Sequence, residues 1–161
     1  MIRSIFASLA ISSITVFCSI ASATEKHKQA KQFPQNLMPI VKILRDAGYR
    51  VYFSKPPVSG AYGATNAREK KIWIAPISVD MGIARQTLIH EAVHAAQGCP
   101  NGRYVPIGWN VSLPKNIETT IKQILYQKYA RKDYAIEREA FYMQSHPQAL
   151  KKISNALKQR C

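Results

Sequence analysis

The sequence predicts an α+β domain, because short alternating apolar runs lie between stretches with helical apolar spacing. Three runs read as strands: Arg50 to Phe53, Ala61 to Thr65 and Lys71 to Ala75. The last, Lys-Ile-Trp-Ile-Ala, has the strongest β-branched and aromatic content. Apolar residues three and four apart flank these runs on both sides. The order helix, three strands, long helix, loop and further helices predicts a small, mostly antiparallel sheet with helices before and after it.

Each element has its own signals. Asn36 can cap a first helix, Pro39 is tolerated in its first turn, Leu37, Val41 and Leu44 make its apolar face, and Gly48 ends it. Pro56-Pro57 and Ser59-Gly60 close the first strand. Gly63 weakens the second, and Asn66 to Glu69 reads as a turn. Asp80 is placed to cap a helix running to about Gln97, with Gly98 as its C-terminal signal and Ile89, Val93 and Ala96 on its apolar face. Residues 98–115 are rich in Gly and Pro and predict a long loop, a kind of segment that often carries function. From Asn116 the chain reads as helical. Ile117, Ile121 and Leu125 form one stripe, Leu150, Ile153 and Leu157 another, and Ser145-His146-Pro147 breaks the run between them.

The 161 residues suffice for one domain with a real core. Met1 to Ala23 has the order of a secretory signal peptide: a basic start at Arg3, an apolar stretch from Ile5 to Ile20, then Ala21-Ser22-Ala23. Cleavage is expected after Ala23, which predicts a secreted or periplasmic protein. A retained membrane anchor fits less well, since the stretch is short and broken by Ser12, Ser13 and Thr15. Phe17 stands before Cys18 where a lipoprotein signal wants a small residue. No other run reads as a membrane span. Residues 24–35 are expected to form a flexible mature N-terminus, and 36–161 a single domain.

Cys99 and Cys161 remain in the mature chain. Export and an even count favour a disulfide between them, with free thiols or pairing between chains as the alternatives. Closing that loop would stabilise the fold by about 4 kcal/mol on the chain-entropy model. The precursor carries a net charge of +14; without Arg3, 22 basic residues face nine acidic ones, or +13. Such a surface favours anionic partners, an acidic molecule or an anionic envelope. Specific nucleic-acid binding is not expected, because the basic residues are spread along the chain without a recognition motif.

The chemistry lies in His90-Glu91-Ala92-Val93-His94, which fits H-E-x-x-H. On a helix, residues four apart share a face, so His90 and His94 can point ring nitrogens at one metal ion. Glu91, one position on, can reach a water on that ion. Two imidazoles leave room for a third protein ligand and a reactive water, the arrangement of a catalytic zinc site.

The third ligand is sought in Ile136-Glu137-Arg138-Glu139-Ala140. Here the chain resembles the gluzincins, zinc metallopeptidases with two histidines from H-E-x-x-H and a downstream glutamate that in several branches opens an E-x-x-A or E-x-E-A pattern. The resemblance covers about residues 36–145 and rests on these two motifs. It implies a zincin-like fold, one Zn2+ ion, and Glu137 as third ligand, with Glu139 as runner-up. The two lie at i and i+2 and cannot both face the metal. Those branches often place Asp or Asn after the alanine to support a ligand histidine. Phe141 stands there instead, so another group must orient His90 or His94. His146 is an alternative third ligand without a supporting pattern; it and His27 read as surface histidines.

The expected activity is hydrolysis of peptide bonds in a peptide or protein substrate, through a zinc-bound water with Glu91 as general base. By analogy, Ala61 to Thr65 or Lys71 to Ala75 would be the edge strand that binds extended peptide. Tyr104, Tyr126, Tyr129, Tyr134 and Arg138 are open candidates for stabilising the oxyanion. Trp109 reads as a packed loop anchor. The alternatives are a non-catalytic zinc- or peptide-binding protein that keeps the fold, and a basic protein acting at an anionic surface.

Overall fold

A computed structural model describes residues 33–109 and 112–161. The expected signal segment, most of the mature N-terminus and His27 lie outside the described residues. Among the described residues the fold is α+β, with six α-helices and a three-stranded sheet. Helix α1 (Met38–Asp46) precedes β1 (Arg50–Phe53), β2 (Gly63–Asn66) and β3 (Lys71–Ile74). Helices α2 (Ile77–Asp80), α3 (Ala84–Gly98), α4 (Lys115–Lys128), α5 (Tyr134–Met143) and α6 (Ala149–Arg160) follow. Among the described residues no helix is long and apolar enough to cross a membrane.

The sheet differs from the mostly antiparallel one expected. Its order is β1-β3-β2; β3 is antiparallel to β2 but parallel to β1. The chain leaves β1, turns through the Pro/Gly segment, forms β2 at the far edge and returns through the middle. Residues 71–75 are therefore the central strand and cannot be a substrate edge; β2 is an edge. Val51, Ile72 and Ile74 project toward the helices and are buried, as strand alternation requires.

The helix boundaries also move. Asn36 does not cap α1; it lies in a 3-10 turn, Gln35–Leu37, and the helix begins at Met38. Asp80 does not cap the motif helix either. It ends α2, and Gly82, with φ of 70°, reverses the chain before α3 begins at Ala84. A left-handed residue there costs glycine little and stops one helix from running into the next. Ile117 is 44% exposed, so only Ile121 and Leu125 of that stripe are buried, in a small cluster with Tyr142.

Helix α3 is the centre of the core. It packs against α1, α5, α6 and the sheet, and nearly all of it from Leu88 to Gly98 is buried. A helix surrounded on all sides needs no wide polar face, which leaves its few polar residues as the informative ones. Cys99, just past its end, is bonded to Cys161 after α6, as the export argument expects. The bridge closes a loop of 62 positions. Cys161→Ser should lower the unfolding free energy by about 2–4 kcal/mol, measured by denaturant titration under non-reducing conditions. A stability equal to wild type would show that the bridge does not constrain the chain.

Candidate metal centre

His90 and His94 lie one turn apart on α3, and Glu137 reaches them from the first turn of α5. Their donor atoms converge. His90 Nε2 and His94 Nε2 are 3.0 Å apart, and Glu137 Oε2 is 3.2 Å from the first and 3.5 Å from the second. Donors held 2.0–2.1 Å from a tetrahedral ion lie about 3.3 Å from one another. The three atoms thus fit one face of a tetrahedral site, and the group can hold a metal ion. Glu139, the runner-up, is not part of it. Its buried carboxylate faces the other way and accepts from the Gln97 amide and the backbone of residues 107–109.

The ring orientations are fixed from behind. His94 Nδ1 is 2.8 Å from Gln97 Oε1, and His90 Nδ1 is 3.0 Å from the Gln144 side-chain amide. The atom that faces His90 is the Gln144 amide nitrogen, which donates to Nδ1, whereas His94 Nδ1 faces the oxygen of Gln97. Phe141 meets His90 edge-on with ring centroids 4.8 Å apart. The polar side chain beside the His90 ring is Gln144, three residues after Phe141. Neither glutamine was singled out in the sequence. Gln97 lies at i+3 from His94, a spacing that could have suggested it.

Glu91 is buried next to the group, and the Thr65 hydroxyl donates to its Oε2 at 2.7 Å. Strand β2 comes this close because residue 63 is glycine. A Cβ there would lie 2.7 Å from Glu91 Oε1 and 2.8 Å from Thr87 Cγ2. Both residues lie in one of the two strands expected as a substrate edge, but their contacts with Glu91 were not expected, since nothing in a local pattern says which strand residues meet the helix.

A cleft of about 470 Å³ opens over these groups, lined by β2, His90, Glu91, His94 and Glu137, with Tyr104, Tyr129 and Asp133 at its walls. Of the oxyanion candidates, Tyr104 and Tyr129 line it. Tyr126 is 75% exposed, Tyr134 packs in the α4–α5 cluster, and Arg138 bonds to Tyr142 and Glu118. Trp109 packs against the core as a loop anchor. His146 accepts the Gln148 N–H outside the group.

Burial disfavours a charged His94, but the Glu137 hydrogen bond and the carboxylates of Glu91 and Glu137 outweigh it and hold its pKa up to about 9. Burial also opposes ionisation of Glu137, yet hydrogen bonds from both histidines bring its carboxyl down to about 2. Burial and then the neighbouring carboxylates push the Tyr129 phenol up.

A family described as "Domain of unknown function (DUF8637)" matches residues 78–161, just over half of the chain. The chain belongs to this family. No curated protein and no solved structure matches it significantly. The DUF8637 region contains both histidines, Glu91, Glu137 and both bonded cysteines, whereas Gly63 and Thr65 precede it.

Below about pH 9, a metal ion must displace a proton from His94. The affinity for a divalent ion should therefore rise from neutral pH, by up to about tenfold per pH unit, and level near the His94 pKa. Calorimetry in buffers of different ionisation enthalpy should detect the released proton. A flat affinity with no proton release would contradict this arrangement.

Proposed function

We propose that this chain is an exported zinc metallopeptidase of the gluzincin type, with a zincin-like fold. The convergence of His90, His94 and Glu137 beside Glu91, in a cleft walled by an edge strand, carries the reading. The donor set, two imidazoles and one carboxylate, suits zinc in a catalytic rather than a structural role. A zinc ion held there would acidify water and polarise a carbonyl.

The chain's own residues supply the rest. Glu91, oriented by Thr65, takes the proton of the attacking water and passes it to the leaving amine. Tyr62 bonds across to Ala75, so by strand alternation the backbone groups of Gly63 and the N–H of Thr65 face the open edge of β2. An extended peptide can pair there and place its carbonyl over the histidines. The Tyr104 hydroxyl donates to the Thr65 carbonyl at 2.7 Å and so is already engaged. Tyr129 lines the cleft beside Glu137 and is the other candidate donor for the oxyanion.

Glu91→Gln should keep the ion, because Glu91 is not a ligand, and slow cleavage of a peptide library by about 10²–10⁴-fold. Equal inertness of wild type and variant would favour a non-catalytic binding protein. Gly63→Ala should likewise retain the ion while misplacing Glu91, with a loss of up to about 10²-fold in kcat. Unchanged turnover in that variant would show that Glu91 does not act from its observed position.

A further inference from the structure

Glu139 lies two residues from a proposed ligand, is buried, and has no place in the chemistry above. Its Oε1 accepts the N–H groups of Gly108 at 2.5 Å and Trp109 at 3.0 Å. Its Oε2 accepts the Ile107 N–H at 2.8 Å and Gln97 Nε2 at 2.9 Å. Gln97 Nε2 also donates to the Ile136 carbonyl at 2.9 Å. Both hydrogens of that amide nitrogen thus meet groups that can only accept. Turning the amide over would set its oxygen against two acceptors, so its oxygen must face His94 Nδ1. An oxygen there requires the hydrogen on Nδ1. In neutral His94 this leaves the Nε2 lone pair free, on the side of His90 and Glu137.

We propose that Glu139 is a positioning residue for the metal centre. Through Gln97 it sets which nitrogen of His94 is presented to the ion. Through the backbone of residues 107–109 it fastens the Gly/Pro loop to the same carboxylate. The proposal rests on the reading of His90, His94 and Glu137 as a metal site. It adds an anchor on α5 that serves α3 and the loop together, while Glu137, on the same helix, faces the ion.

The test is Co2+ binding to the folded, disulfide-bonded protein, read as affinity and as the visible absorption of the bound ion. Glu139→Gln and Gln97→Met should each weaken binding about 10–100-fold and change the spectrum. The double variant should lose no more than the weaker single variant, since both act along one path. Folded single variants that bind Co2+ like wild type, or losses that add, would overturn the proposal and leave the metal site standing. A wild-type protein that takes up no Co2+ would remove both. If Glu139→Gln does not fold, Glu139→Asp takes its place, since it keeps the charge but shortens the reach to Gln97, and unchanged Co2+ affinity and spectrum in that variant would overturn the proposal.

Discussion

The contact on which the site depends is the one between α5 and α3 that sets the Glu137 carboxylate against His90 and His94. A carboxylate and two imidazoles withdrawn from water are costly unless each finds partners. The surrounding structure provides them. Gln97 and Gln144 take the outer ring nitrogens, Phe141 packs on one ring, and Thr65 holds the adjoining Glu91. This is affordable because α3 is enclosed by α1, α5, α6 and the sheet. The Cys99–Cys161 bond ties its end to the last helix.

The parts legible in the sequence are those fixed by short-range periodicity. His90 and His94 share a face because they are four apart, and Glu91 follows from its place in the motif. The resemblance favours Glu137 over Glu139, and of the two it is the Glu137 carboxylate that lies beside His90 and His94, in a group that could hold a metal ion. The Cys99–Cys161 pairing followed from parity and expected export. The strands appeared where alternation placed them, with β2 shifted to Gly63–Asn66.

The parts that were not legible depend on tertiary contact. Nothing in the alternation of residues 50–53 says that β1 would pair in parallel with β3. Asp80 looked like a cap because its residue type favours caps, yet Gly82 breaks the chain two residues later. Phe141 meets His90 edge-on, and the polar group beside that ring is Gln144, just past the end of α5, which no local pattern marked. Glu139 looked like a competitor of Glu137; three backbone N–H groups of a loop some thirty residues earlier give it a different task. Gly63 read only as a weak strand residue, and its reason is the close passage of β2 beside Glu91.

The central claim is that one ion is held by two histidines and one glutamate. X-ray absorption at the zinc edge of the zinc-loaded protein tests it most directly. The expected shell is oxygen and nitrogen at about 2.0–2.1 Å, with the outer scattering of two imidazoles and no sulfur. Failure to load zinc, or a shell without two imidazoles, would contradict it.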